Sequence, residues 1–477
     1  MRNNMQQHHH QHTTRWRGLW GAMALGTLMA VAVSACGGSD DGPAAALVYD
    51  CKGAVRHESP APGSDAWKQR DADNMACARE RTDDFAQQPA ALFTAGKLPA
   101  LDAYRTPALH ANTRFRFAEA TAPGRLGKAV ATEVYRPCAA GTCSGMPATL
   151  RTFEGPYPAV VIVHGGGSSK RLHRSASQSL AEAGYMTIAL DTTAAIGTHG
   201  IDTQDVVDWL FSTPSAPLAD GSYFPYWNQL DPRTVGIAGH SQGASTASLI
   251  GQTDKRLSAI VAWDNLTTIR SGWVDKIGID PPAGVAIRTP ALGFGADYNF
   301  TIAPYTEPPE PAKVNTQAGR GRGAEPHPKD LGYQEVRTAG VDSMLLVLRA
   351  ATHLDFSLFG GPASRHGESA INYYTLAWFD RYLKGARDPA VAADAFRRLT
   401  AQAFDDSADR HNISQGLYDP AAATAAGSVY KGNLPYLVKG TPTRDRLSFY
   451  FKSRCAITPP GSTLRVESED MRSAGCR

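Results

Sequence analysis

The pentapeptide at residues 239–243, Gly-His-Ser-Gln-Gly, constrains the fold of this chain more than any other feature. An apolar β-type run ends just before it, and a helix-forming run of small residues, 244–250, follows it. A serine flanked by glycines between strand and helix can occupy a turn so tight that its hydroxyl points outward, beside the backbone N–H groups of the helix start. The pattern therefore predicts that Ser241 is a nucleophile on a strand–turn–helix unit.

Composition indicates a globular protein and gives no support to nucleic-acid binding. The chain has 477 residues, 42% of them hydrophobic, which is enough to bury a substantial core. Its formal net charge of +3 comes from Arg2, Arg15 and Arg17, since no acidic residue precedes Asp40. The remainder is neutral and would not attract polyanions, so a small or neutral molecule is the expected partner.

Residues 1–35 have the pattern of an export signal. Basic Arg15 and Arg17 precede an apolar stretch, 18–33, and small residues lead to Cys36. The run Val-Ser-Ala-Cys resembles a bacterial lipobox, in which the cysteine is lipidated and becomes the mature N-terminus. We therefore expect an exported cell-envelope lipoprotein, on the outer membrane or the periplasmic face, that contacts the membrane only through a lipid at Cys36. An ordinary secretory signal or an uncleaved anchor helix are the alternatives.

The six cysteines after Cys36 predict disulfides, because their number is even and the chain is expected to be exported. Sequence alone leaves the pairing open. Pairing each cysteine with its neighbour along the chain would give Cys51–Cys77, Cys138–Cys143 and Cys455–Cys476. No zinc, phosphate-loop or dinucleotide motif is present, so no metal and no cofactor is predicted.

Apolar β-type runs alternate with helical runs from residue 113 to about residue 387. This alternation predicts an α/β domain with a doubly wound, mostly parallel sheet and helices on both faces. Residues 36–112 form an N-terminal extension with one predicted helix at 71–88. Residues 388–477 form a C-terminal extension with one strand-like run, 447–452, and no assigned role.

A serine hydroxyl needs a base to take its proton, and that base needs a buried acid to orient it. In α/β-hydrolases the acid and then the histidine follow the serine along the chain. Asp297 ends one apolar run and His353 follows another, so both are expected at the carboxyl edge of the sheet, where Ser241 lies. We expect His353 to be the base and Asp297 to orient it. Asp264, which ends the run 257–263, is the competing acid.

The glycine run that follows His164 is the candidate oxyanion hole, a set of N–H donors for the charge that develops when serine attacks a carbonyl. Without side chains, Gly165 and Gly166 can turn their N–H groups into the site, and Gln242 would supply another. A flexible glycine turn with no such role is the alternative, and His164 is expected to be structural.

Five aromatic residues precede the strand that leads to Ser241. They could line a pocket for the acyl group of a substrate, or equally form a packed patch of the core. The residues are Trp209, Tyr223, Phe224, Tyr226 and Trp227.

Through these motifs, residues 113–387 resemble the α/β-hydrolase superfamily, and within it the dienelactone-hydrolase-like and secreted esterase/lipase branch. The matching segments are 164–167, 239–243, 295–297, 352–353 and the closing run 378–385. The resemblance implies a carboxylic ester hydrolase that forms an acyl-enzyme on Ser241, with His353 as base and acid and Asp297 as its orienter. The substrate would be a small or polymeric ester. An amide or peptide hydrolase with the same triad, or an inactive surface-binding lipoprotein, are the alternatives.

Overall fold

The computed structural model describes residues 59–86, 115–137, 155–271, 276–300, 302–305, 329–357, 365–404, 440 and 442–477. The predicted signal segment, the lipidation site Cys36, Cys51 and the pair Cys138–Cys143 lie outside these residues. Among the described residues, no helix is both long and apolar enough to cross a lipid bilayer.

Strands and helices alternate through the central part of the chain, as predicted. The strands are β1 (Phe115–Ala122), β2 (Val130–Pro137), β3 (Tyr157–Val163), β4 (Met186–Leu190), β5 (Leu230–His240), β6 (Leu257–Trp263), β7 (Ala291–Ala296), β8 (Ser343–Leu348), β9 (Arg454–Ile457) and β10 (Val466–Ser468). The α-helices are α1 (Asp65–Ala86), α2 (Arg174–Glu182), α3 (His199–Leu210), α4 (Gln242–Thr253), α5 (Leu331–Thr338), α6 (Arg365–Phe379), α7 (Pro389–Thr400) and α8 (Met471–Ala474).

These strands form one sheet in the order β1-β2-β4-β3-β5-β6-β7-β8-β9-β10. Neighbours from β4 to β8 in this order are parallel, whereas β1, β2, β9 and β10 pair antiparallel at the two edges. The predicted fold class is confirmed: this is the α/β-hydrolase fold, with a doubly wound and mostly parallel sheet.

The parallel strands are buried on both faces because helices cover both sides of the sheet. Along β3, Val160 and Ile162 pack into the core on one face, while Val161 and Val163 pack into the core on the other. Strands β4, β7 and β8 are buried along their whole length. Continuous apolar runs, rather than alternating ones, therefore mark the central strands in the sequence.

The C-terminal extension adds to the sheet, although not where the sequence indicated. The run 447–452 is not a strand, because the Ser448 hydroxyl accepts hydrogen bonds from the backbone N–H groups of Tyr450 and Phe451 and curls the chain. The extension's strands follow this turn, and β9 pairs with β8. The predicted Cys455–Cys476 disulfide is present.

Helix α1, from the N-terminal extension, packs against both the central region and the C-terminal extension. The Trp67 indole N–H donates to the carbonyl oxygen of Tyr305 at 2.8 Å, and its ring lies 6.0 Å from that of Tyr450. Cys77 and Ala78 are buried in the same cluster. Segments from both extensions thus meet on one side of the central region.

Candidate active site

Ser241 occupies a strained turn between β5 and α4. Its backbone angles, φ 56° and ψ −116°, are unusual for a residue with a side chain. A Cβ atom on Gly239 would lie 2.1 Å from the carbonyl oxygen of Gly243, and one on Gly243 would lie 2.2 Å from that of Val163. Both glycines are therefore required by close backbone approach, which is the steric basis of the predicted elbow.

His353 follows β8 and bonds to a buried aspartate. Its Nδ1 lies 2.6 Å from Oδ2 of Asp264, the residue that directly follows β6. The His240 ring, which precedes Ser241 in the chain, lies 4.6 Å from the His353 ring, and its Nε2–H donates to the His353 carbonyl oxygen at 2.9 Å. With Nδ1 engaged by a carboxylate, Nε2 of His353 is the nitrogen left to exchange a proton with a nucleophile.

The structure corrects the prediction for Asp297, which does not pair with His353. Its fully buried carboxylate accepts hydrogen bonds from the side chain of Asn74 at 2.9 Å, the backbone N–H of Ala350 at 2.6 Å and the hydroxyl of Ser448. Asn74 lies on α1 and Ser448 in the C-terminal extension. Asp264, the competing acid of the sequence analysis, takes the place beside His353 because Asp297 is engaged by these other groups.

The pKa values of the two aspartates are shifted in opposite directions. Burial acts to raise the pKa of Asp264, but the charge of Lys329 and the hydrogen bond with His353 outweigh it and leave the pKa below its usual value. Burial also acts on Asp297, and there it prevails over the hydrogen bonds, so the pKa of that carboxyl is raised. Asp264 therefore favours the anionic form that an imidazolium needs, and Asp297 resists it.

Lys329 is a site residue that sequence reasoning missed. Its Nζ lies 3.7 Å from Oδ1 of Asp264, and both side chains are 1% exposed. Lysine is almost never buried to this extent without a partner of opposite charge. It follows a proline-rich stretch, 303–328, in which no motif marks it, so only the fold reveals its position beside Asp264.

The glycine loop after β3 packs directly on the elbow. A Cβ atom on Gly165 would lie 3.0 Å from that of Ser241, and one on Gly166 would lie 2.6 Å from Oε1 of Gln242. His164 supports this loop, since its Nδ1–H donates to the carbonyl oxygen of Gly165 at 2.6 Å and its Nε2 accepts from the backbone N–H of Thr192 at 3.0 Å. The candidate donors Gly165, Gly166 and Gln242 thus adjoin Ser241.

Four other histidines lie near the site. Burial lowers the pKa of His173 to about 3 and that of His199 to about 4, and it also lowers the pKa values of His164 and His240. These four side chains are neutral at physiological pH. Among the histidines whose side chains the structure describes, His353 is the one bonded to a carboxylate.

The predicted aromatic acyl pocket is not at this site. Trp209 and Phe224 are buried in the core with ring centroids 4.8 Å apart, and this set of residues precedes β5 at its amino end. Leu230 pairs with Tyr157 and Gly239 with Val163, so β5 carries the chain about 20 Å from this set toward Ser241. The alternative interpretation, a packed patch of the core, agrees with the structure.

Within the described part of the chain, no group of three or more histidine, cysteine, aspartate or glutamate side chains could hold a metal ion.

Searches against protein-family models and curated proteins give no match. Among solved structures, a ferulic acid esterase from Streptomyces cinnamoneus is 19% identical over 55% of this chain and 85% of its own length, with a TM-score of 0.35. A hypothetical protein from Pseudomonas aeruginosa is 20% identical over 32% of this chain and 43% of its own length, with a TM-score of 0.24. Likenesses this distant do not indicate a function.

Proposed function

We propose that this chain is a serine hydrolase that cleaves carboxylic esters through an acyl-enzyme intermediate, with Ser241 as nucleophile, His353 as base and acid, and Asp264 as the residue that orients His353. The observation that carries this proposal is the 2.6 Å contact between His353 and Asp264 next to the Ser241 elbow. A histidine held by a buried carboxylate beside a serine on a strained turn is the arrangement that activates a serine hydroxyl.

In the proposed acylation, the Ser241 oxygen attacks the ester carbonyl carbon while its proton moves to Nε2 of His353. The negative charge that develops on the carbonyl oxygen is stabilised by backbone N–H groups of the Gly165–Gly166 loop and of Gln242. When the tetrahedral intermediate collapses, the bond from carbon to the alcohol oxygen breaks and His353 returns the proton to that oxygen. The products of this step are the free alcohol and an acyl group on Ser241.

Deacylation repeats these steps with water as the nucleophile. Neutral His353 takes a proton from water, the hydroxyl attacks the acyl carbon, and the bond to the Ser241 oxygen breaks as His353 protonates that oxygen. The carboxylic acid leaves and the free serine is restored. Since His353 must be neutral at the start of both steps, activity should be lost as pH falls.

Ser241→Ala tests this proposal directly. We expect a fluorophosphonate probe to label the unaltered protein and not the variant, and kcat on p-nitrophenyl esters to fall by about 10⁴-fold or more, because removing one member of a triad removes most of its effect. Ser215→Ala, an exposed serine away from the elbow, is the matched control and should behave like the unaltered protein. Retained activity in Ser241→Ala would contradict the proposal.

Ester and amide substrates distinguish the two enzyme alternatives. The same triad can attack both, so rates on p-nitrophenyl esters should be compared with rates on the matching anilides. We expect ester hydrolysis to be much the faster. A protein that the probe does not label and that cleaves neither substrate would instead agree with an inactive surface-binding lipoprotein.

We also propose that the protein is exported and lipidated at Cys36. The lipobox-like run before Cys36 supports this, and so does the buried Cys455–Cys476 disulfide, which is typical of oxidising compartments. Cys36→Ala should abolish incorporation of a radiolabelled fatty acid and release the protein from the membrane fraction. Unchanged labelling would place the lipid elsewhere.

A further inference from the structure

Phe300 is a large apolar side chain that remains exposed beside the proposed base. Its ring is 56% exposed, yet its centroid lies 4.9 Å from that of His353, with the two rings at 70°. A single exposed phenylalanine needs no explanation elsewhere on a protein surface. Next to the histidine that moves protons, it forms part of the surface that a bound substrate meets.

The loop that carries Phe300 is fixed to the loop that carries His353. The backbone N–H of Tyr298 donates to the carbonyl oxygen of Ala351 at 3.0 Å, and that of His353 donates to the carbonyl oxygen of Asn299 at 3.1 Å. At the start of the same loop, Asp297 is held by its buried hydrogen bonds. Phe300 is therefore presented at a defined place rather than on an unsupported segment.

The proposed mechanism assigns that place to one part of the ester. His353 must return its proton to the alcohol oxygen as the alcohol leaves, so the alcohol part lies against His353. The carbonyl oxygen, by contrast, points toward the glycine loop. A group attached to the alcohol oxygen would accordingly pass next to Phe300.

We infer that Phe300 contacts the alcohol part of the substrate and that the preferred substrates are esters of alcohols with an aromatic or bulky apolar group. This inference rests on the proposed function. Aromatic rings favour edge-on or offset contacts with one another, and a contact of this kind also removes apolar surface from water. The expected consequence is selectivity for the alcohol with little selectivity for the acyl group at this position.

The test uses three esters, which are ethyl acetate, benzyl acetate and ethyl phenylacetate. The first two share an acyl group and differ in the alcohol, whereas the first and third share the alcohol and differ in the acyl group. Both acetates form the same acetyl-enzyme, so they can differ only in the acylation step, in which the alcohol is still present, and kcat/KM reports that step. The unaltered protein should prefer benzyl acetate to ethyl acetate.

We expect Phe300→Ala to lower kcat/KM for benzyl acetate about tenfold relative to ethyl acetate, and to leave the ratio of the two ethyl esters unchanged. Phe300→Leu should lose less, since it keeps an apolar side chain. Tyr223→Ala, an exposed aromatic residue in the segment before β5, is the control and should change neither ratio. Labelling of Ser241 by a fluorophosphonate should persist in every variant.

Four results would overturn this inference while leaving the serine mechanism intact. An equal loss on both acetates would mean that Phe300 positions His353, and a change confined to the ethyl esters would place it on the acyl side. No benzyl preference in the unaltered protein, or no change in Phe300→Ala, would also overturn it. Failure of the serine mechanism itself would appear differently, as an unaltered protein that the probe does not label.

Discussion

Asp264 and Asp297 occupy equivalent places in the fold, but Asp264 bonds to His353 and Asp297 does not. Each is a fully buried aspartate that directly follows a parallel strand, β6 in one case and β7 in the other, and these strands are neighbours in the sheet. The charge of Lys329 acts on both, but Asp264 bonds to His353, whereas Asp297 accepts hydrogen bonds from the two extensions and the Ala350 backbone. The partners that surround an acid, rather than its position at a strand end, decide what it can do.

The largest effect that separates the two acids is on catalysis. Asp264→Asn should lower kcat by about 10⁴-fold, because an amide in that position no longer favours the tautomer of His353 that accepts the serine proton. Asp297→Asn should stay within about threefold of the unaltered protein, since Asp297 does not bond to His353 and the amide oxygen of Asn can still accept from Asn74 and Ala350. Steady-state kinetics on one p-nitrophenyl ester measure both. The opposite ranking would return the orienting role to Asp297.

Substitution at Asp297 should lower the free energy of unfolding more than substitution at Asp264. Asp297→Ala leaves three hydrogen-bond donors without their acceptor, and we expect it to lower the free energy of unfolding by about 2–4 kcal/mol. Urea unfolding, followed by tryptophan fluorescence, gives this quantity, and Asp297→Asn serves as the mild control. A change below about 0.5 kcal/mol in Asp297→Ala would show that the cluster does not hold the extensions in place.

The sequence predicts some features of this region and not others. The elbow at Ser241 and the strand before His353 are local patterns, so the sequence predicts them well. The choice between Asp264 and Asp297 depends on Asn74 and Ser448, which lie 223 and 151 residues from Asp297 along the chain. Such distant contacts leave no local pattern, and those of Lys329 and Phe300 leave none either.

Substitutions of Lys329 should have a smaller effect, which is a shift in the pH dependence of the reaction. Its charge lowers the pKa of Asp264, so without it Asp264 is protonated more readily and the charged partner of His353 is lost at a higher pH. Lys329→Met should therefore move the acidic limb of kcat/KM to higher pH by about one unit, whereas Lys329→Arg, which keeps the charge, should leave the limb nearly in place. Asp297 also faces Lys329, so the measurement is repeated in Asp297→Asn. An unmoved limb in Lys329→Met would mean that this lysine has no electrostatic role.

The smallest predicted effect is on stability: the contributions of Asp264 and Asp297 to the free energy of unfolding should change with pH in opposite directions. A lowered pKa, as in Asp264, contributes stability that is present above the unfolded-state pKa and is lost as pH falls through the folded-state pKa. A raised pKa, as in Asp297, contributes stability that is present at low pH and is lost as pH rises through the folded-state pKa.

The two Asn variants report these signs. Relative to the unaltered protein, Asp297→Asn should gain stability as pH rises from 4 to 7, because the cost of an ionised buried carboxylate is removed. Asp264→Asn should lose relative stability in a lower window, as pH rises toward the unfolded-state pKa of about 4, and should change little between pH 4 and 7. Urea unfolding at several pH values measures both, and slopes of the same sign would contradict the assignment of opposite shifts.

The antiparallel pairing of β8 with β9 has a consequence for shortening the protein. A chain cut at residue 387, where the resemblance to known hydrolases ends, would lack β9 and leave the backbone N–H and C=O groups on the β9 side of β8 without their partners, while those that face β7 stay paired. An unpaired edge of a flat apolar strand is a template for pairing with other molecules. The same cut would remove Ser448 from Asp297. A protein that ends at residue 387 would thus be expected to self-associate, and recombinant work should keep the C-terminal residues.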